Sequence, residues 1–244
     1  MRYRLIIEYD GTPFVGWQRQ QAPNSVQQVL EEALATALRH PVVLFGSGRT
    51  DAGVHAWGQV AHFDTPAVLD EDRLRESVNA LVRPHPITVC AVAGVSDTFH
   101  ARTSAKQRTY TYVIQNTPYP PSLDKNRVWH VRAPLDAQKM QQAGDILIGK
   151  HDFSTFRATA CQAKSPVKTL DELMVQRTGD KVLITVRARS FLHHQVRNIA
   201  GSLMYVGCGR WTIADFEKAF RACDRTKGGE TAPPQGLYFV DVRY

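Results

Sequence analysis

The chain has 244 residues, 43% hydrophobic and 22% charged, the composition of a folded globular protein rather than a disordered or fibrous one. Its formal net charge of +7 and pI near 9.4 point to an anionic partner, and no apolar run approaches the ~18 residues of a membrane span. Met1-Arg2-Tyr3-Arg4 leads directly into an alternating segment with no apolar leader pattern, so the expected compartment is the cytoplasm.

Tyr3, Leu5, Ile7 and Tyr9 alternate with Arg4, Ile6 and Glu8, a strand pattern over 3–9. Ser25-Val26-Gln27-Gln28 reads as a capping box, followed by Val26, Val29, Leu30, Ala33, Leu34, Ala37 and Leu38 at helical spacing. Pro41 ends that helix, Val42–Phe45 reads as a short strand and Gln59–Phe63 as another. Asp70–Leu81 is a predicted helix and Ile87–Val95 a strand, giving β-α-β-β-α-β. The second half repeats the scheme. Arg108–Gln115 is a strand, and Asp136–Ile148 a helix with Asp136 as N-cap. Leu170–Arg177 and Val182–Ala188 form a hairpin around Thr178-Gly179-Asp180. Leu192, Val196, Ile199, Leu203 and Val206 mark a helix, Ile213–Cys223 another, and Leu237–Val242 closes the chain as a strand. Segments 118–121, 155–166 and 227–235 read as loops. The expected fold class is α+β: two ferredoxin-like β-α-β-β-α-β halves, 1–104 and 105–244, with mainly antiparallel sheets and helices to one side.

Charge divides unequally between those halves. Residues 1–104 carry 9 Lys+Arg against 11 Asp+Glu, whereas residues 105–244 carry 21 against 12, an asymmetry that points to nucleic acid. Cys90, Cys161, Cys208 and Cys223 are scattered without C-x-x-C spacing, so neither zinc nor a disulfide framework is expected; they read as small buried or incidental residues.

The string Gly48-Arg49-Thr50-Asp51-Ala52-Gly53-Val54-His55-Ala56 sets one carboxylate between two glycines, on what reads as a tight, accessible turn. It fails as a phosphate-binding P-loop, because Val54-His55 stands where Lys and Ser/Thr are required, and as a dinucleotide fingerprint, because Asp51 occupies the third glycine's position. An arginine two residues away would favour the ionised form of Asp51, the form that nucleophilic or general-base chemistry requires. Further blocks stand out: Glu8–Thr12 with Gly16-Trp17-Gln18-Arg19-Gln20, Phe99-His100-Ala101-Arg102 with Arg108–Tyr112, His151–Ser154 with Phe156-Arg157, Phe191–Asn198, and Gly236-Leu237-Tyr238.

These blocks, in this order along the whole chain, resemble the TruA-type tRNA pseudouridine synthases. The resemblance implies isomerisation of uridine to pseudouridine in the tRNA anticodon stem-loop, at positions 38 to 40, by a homodimer without metal or nucleotide cofactor. It implies two sheets joined into one around a cleft, Asp51 as catalytic carboxylate, Arg197 as the arginine that pairs with it, and Tyr110 as the stacking ring, leaving Tyr112 as packing. Leu237 would line the base pocket. Arg49 would orient Asp51 or hold a phosphate. Asp51 serves equally by attacking the sugar, attacking the base, or removing a ribose proton. His193 and His194, read as diverging neighbours on a helix, do not make the i, i+4 pair of a zinc helix; with His55 they read as RNA contacts or as support for the site. Phe153 and Phe156 read as packing, with Arg157 available for phosphate. Two rival readings remain: a non-catalytic RNA-binding protein, which would not need Asp51, and a metal-dependent phosphoesterase built on Asp10, Asp51 and Asp64.

Overall fold

A computed structural model describes residues 1–22 and 24–244, which divide into two compact units: Met1–Lys106 with Tyr238–Tyr244, and Gln107–Leu237. The fold class is α+β, with a mixture of antiparallel and parallel strand pairs.

In the first unit β1 (Arg2–Tyr9) pairs antiparallel with β4 (Ile87–Val95) on one side and β3 (His55–Asp64) on the other. The short β2 (Phe45–Gly46) pairs antiparallel with the far end of β3, at His62 and Ala61. The alternation of β1 puts Tyr3, Leu5, Ile7 and Tyr9 in the core; Leu30 and Leu34 of α1 (Val26–Leu38) and Leu74 and Val78 of α2 (Glu71–Leu81) are buried too. Asp70 caps α2 through the Arg73 amide. Ser25 caps α1 by accepting the Gln28 N–H, but the Gln28 side chain turns to Glu32 instead of closing a box.

Residues 42–44 do not form the expected strand. The Leu44 N–H donates to Glu31 Oε1 and its carbonyl accepts from Gln27 Nε2, so side chains of α1 take the backbone groups a ladder would have used. The closing strand forms as expected: β10 (Leu237–Arg243) runs parallel to β3 with Tyr238 opposite His55 and Phe239 opposite Ala56, and Lys106 N–H donates to Arg243 O.

In the second unit β5 (Gln107–Gln115) pairs antiparallel with β9 (Lys181–Ala188), β9 with β8 (Val167–Thr178), and β8 with β7 (Gly149–Asp152). The two-residue β6 (Trp129–His130) runs parallel to β5. The β8–β9 hairpin turns at Gly179, whose φ of +56° suits glycine. Helices α3 (Ala137–Asp145), α4 (Gln195–Gly207) and α5 (Ile213–Arg221) complete the unit. Asp136 caps α3 as expected, and the complete capping box lies at Thr212 and Asp215 of α5. Phe153 and Phe156 pack with Phe216 and Phe220 in a buried aromatic cluster, as their reading implied.

Candidate active site

Asp51 sits at the start of a turn closed by the Val54 N–H donating to the Asp51 carbonyl, with Gly53 at φ +76°. The opening block of the chain clamps this turn. A Cβ on Gly11 would stand 2.0 Å from the Val54 carbonyl oxygen, and one on Gly16 would stand 2.6 Å from Thr50 O and 3.2 Å from the Asp51 carbonyl carbon. Backbone therefore lies directly on backbone at both points, and Gly16 at φ +108° adds a conformation that only glycine takes readily. The Trp17 N–H donates to Thr50 O, and the Tyr9 hydroxyl lies 2.8 Å from the Thr50 hydroxyl. Burial raises the Tyr9 phenol pKa, so it stays neutral in that bond. Asp51 is half-buried at the end of this clamped loop, held by backbone geometry from both directions.

Arg49 is exposed, and its Nε donates to Gln18 Oε1 at 3.1 Å. Gln18 is held in turn by the buried Gln27, which also reaches Glu31. The bond that orients Arg49 is thus one to a neutral amide. His55 is 2% exposed, stacks on Tyr238 at 4.8 Å, and accepts the Gly11 N–H at Nδ1, 3.2 Å from Asp10 Oδ1. These contacts tie it to the Gly11 backbone beside the Asp51 turn.

In the second unit, Arg197 lies half-buried on the first turns of α4, its Nε donating to Ala232 O at 2.8 Å while the Ala232 N–H returns to Arg197 O. Helix α4 starts later than its apolar spacing suggests. His194 takes a left-handed φ of +60°, and Leu192 lies ahead of the helix with its N–H on Gln195 Oε1. His193 and His194 consequently precede the helix and do not diverge; their ring centroids are 4.0 Å apart. Tyr110 on β5 is buried and meets Phe191 edge-on at 5.2 Å. Tyr112 is fully buried, with its hydroxyl donating to Pro233 O, in keeping with a packing role. Leu237 is buried where a 3-10 turn, Pro234–Gly236, enters β10.

Arg157 is not simply available for phosphate. Its Nη2 donates to the carbonyls of Cys161 and Ala163, holding the loop that follows it, while Lys164 is exposed. Cys90 and Cys223 are exposed rather than buried. Burial opposes ionisation of Cys161, but the Ala163 and His193 backbone and Arg157 outweigh it and lower the thiol pKa.

The sequence profile described as "tRNA pseudouridine synthase" matches residues 5–103 and 143–244 of this chain. The chain belongs to that family. A tRNA pseudouridine synthase A of Afipia carboxidovorans is 54% identical over 243 residues, covering 100% of this chain and 99% of its own length. Proteins of the same description from Rhodospirillum rubrum and Parvibaculum lavamentivorans are each 52% identical, covering 100% of this chain and 88% and 99% of themselves. The enzyme is therefore an isomerase acting on uridine in tRNA. The profile match includes Arg49, Asp51, Arg197 and Leu237; Tyr110 falls in the segment between its two parts, which the full-length relatives do span. No helix among the described residues is long and apolar enough to cross a membrane.

Sequence reasoning did not single out a polar cluster in the second unit. Asn198, Arg225 and Thr231 bind one another across more than thirty positions of chain. A polar residue inside an apolar helix pattern, Asn198 after Val196, was the one available signal.

Proposed function

We propose that the enzyme isomerises uridines at positions 38 to 40 of the tRNA anticodon stem-loop, with Asp51 as the catalytic carboxylate. The observation that carries this is the clamp on the Asp51 turn. Two glycines, a backbone N–H and a tyrosine hydroxyl from the first 17 residues are all committed to holding one half-buried carboxylate loop. Preorganisation of this kind removes the entropic cost of placing a reacting group. In this reading Arg197 supplies the cation that keeps the carboxylate ionised, Tyr110 the ring against which the base stacks, and Leu237 an apolar lining for the base. Stacking of that type contributes about 1–3 kcal/mol per base. Arg49, oriented by Gln18 through Nε, presents an exposed guanidinium suited to a backbone phosphate.

The reaction exchanges a ribose–nitrogen bond for a ribose–carbon bond in the same nucleotide, so it needs no group donor and no net redox change. A homodimer with tRNA across both subunits, and two ferredoxin-like halves, belong to the same reading. The second is supported by β3 lying between β1 and β2, and β9 between β5 and β8, within their own units.

The test is to map pseudouridine in a tRNA transcript after incubation with purified enzyme, then with Asp51→Asn. The amide is nearly isosteric but a poor nucleophile and base. Wild type is expected to modify positions 38–40 and Asp51→Asn to bind the transcript without turnover. Substantial turnover by Asp51→Asn would remove Asp51 from the mechanism, and modification confined to other positions would refute the anticodon assignment.

A further inference from the structure

We infer that Asn198, Arg225 and Thr231 form a positioning lock for Arg197: they press the segment 228–232 onto helix α4, and that segment fixes the Arg197 guanidinium through the Ala232 carbonyl. The inference rests on the reading above that Arg197 works in the reaction.

The segment carries Gly228-Gly229 at one end and Pro233-Pro234 at the other, and it follows no strand ladder. What holds it is contact with the helix. A Cβ on Gly201 would stand 1.9 Å from Glu230 O, and one on Gly229 would stand 2.8 Å from Ser202 Cα. The Gly229 N–H donates to Ser202 Oγ at 2.9 Å. Arg225 then closes the arrangement: Nη1 donates to Gly229 O at 2.9 Å, and Nη2 to Thr231 Oγ1 at 3.0 Å and Asn198 Oδ1 at 3.1 Å. The Thr231 hydroxyl donates to the same Asn198 oxygen at 2.7 Å. Asn198 is 1% exposed, and its amide is oriented by donating to Phe156 O. At the far end, the Tyr112 hydroxyl holds Pro233 O.

Among the described residues, Arg225's hydrogen bonds all go to neutral oxygens, and burial lowers its pKa. An arginine so placed loses hydration without gaining a carboxylate, which makes its geometry, five donors in a rigid fork, the property in use. The beneficiary is one position along the helix from Asn198. Arginine is rotamer-rich; a bond at Nε sets the plane of the guanidinium before substrate arrives. Residues 197 and 232 are joined twice, by Nε to O and by N–H to O, so a shift of the segment moves the guanidinium with it. Asn198, Arg225 and Thr231 are positioning residues in this sense, acting on the reaction only through Arg197.

Thr231→Val removes the bridging hydroxyl at nearly constant shape; Thr231→Ser keeps it. Single-turnover rates at saturating tRNA transcript, transcript affinity by filter binding, and melting temperature are measured for both in the full chain. Thr231→Val is expected to slow the single-turnover step about tenfold with affinity changed less than about twofold, and Thr231→Ser to stay within about twofold of wild type. Arg225→Lys, which keeps the charge and loses the fork, is expected to follow Thr231→Val. In an Arg197→Lys background, Thr231→Val is expected to slow the reaction no further, as for residues acting as a unit. A wild-type rate for Thr231→Val, equal slowing by Val and Ser, or a further tenfold loss in the Arg197→Lys background overturns the lock. Full activity of Arg197→Lys overturns the role of Arg197 itself, a result separable from failure of the lock alone.

Discussion

Adding one methyl group at Gly11 is the sharpest perturbation of the Asp51 loop that leaves every catalytic candidate in place. The Cβ of Gly11→Ala would lie 2.0 Å from Val54 O and 2.5 Å from Val54 C, where ordinary contact begins near 3.4 Å. One of the two backbones must therefore retreat by about 1.4 Å. Gly11 is tied to His55 by its N–H, and Val54 is tied to the Asp51 carbonyl, so the retreat is transmitted to the turn that carries the carboxylate. Overpacking costs about 1–3 kcal/mol, and melting falls about 2–4 °C per kcal/mol in chains of this size. Misplacement of a reacting group by about 1 Å costs up to 100-fold in rate. The expected outcome is a melting temperature lower by about 2–12 °C and a single-turnover rate on tRNA lower by one to two orders of magnitude. Gly179→Ala is the control. It strains a left-handed residue by about 1–2 kcal/mol with nothing within 4 Å of the new Cβ, so it is expected to lower melting and leave the rate of folded enzyme unchanged. A Gly11→Ala enzyme at wild-type rate would refute the reasoning that the opening block positions Asp51.

Tyr112→Phe leaves the Pro233 carbonyl without its 2.7 Å donor and is expected to cost about 1–2 kcal/mol in urea unfolding; an unchanged midpoint contradicts it. His62 is 1% exposed, and burial, aided by His100 and Arg2, holds its pKa at about 4, below the usual 6.5. The unfolded chain thus binds a proton that the folded one refuses, so stability is expected to fall as pH drops from 6.5 towards 4, by at most about 3 kcal/mol. Urea midpoints for wild type and His62→Gln across that range test the sign, and parallel curves would exclude His62. Transcript affinity is expected to fall steeply with salt. Lys164→Ala should flatten that slope by up to about one unit without changing which uridine is modified. Arg157→Ala should chiefly lower melting, because its guanidinium holds loop carbonyls; the reverse ranking of the two would restore Arg157 as a phosphate contact.

Elements whose ends carry side-chain signals were legible in the sequence. Asp70 and Asp136 cap the helices they announce, Gly179 turns the hairpin, and Ile87–Val95 begins and ends where its pattern does. Where side chains intervene in backbone bonding, periodicity misled. Glu31 and Gln27 convert 42–44 from strand to irregular backbone, and a left-handed His194 delays α4 by three residues past Leu192. The strand at Gly149–Asp152 contains no apolar residue to alternate, and its edge pairing with β8 came from the partner's pattern, not its own. Among the site residues, the Asp51 turn was readable from its bounding glycines, of which Gly53 takes a left-handed φ of +76°; the close approach of Gly11 and Gly16 to it was not. Arg225 was not, since nothing local distinguishes an arginine that binds carbonyls from one that faces solvent.

The pairing of β10 with β3 has a consequence for the order of synthesis. Tyr238 and Phe239 pair with His55 and Ala56, the Lys106 N–H meets Arg243 O, and the Tyr244 hydroxyl donates to Ala101 O. The strand that carries the end of the Asp51 motif therefore lacks this partner until residues 238 and 239 have been made. About 130 residues, the whole of the second unit, are made between Lys106 and Tyr238. At about 5–20 residues per second that is an interval of roughly 7–26 s. A chain released anywhere in that interval has its Asp51 loop but not the strand that pairs with His55 and Ala56. Only a chain translated through Phe239 can pair β10 with the strand that carries His55 and Ala56.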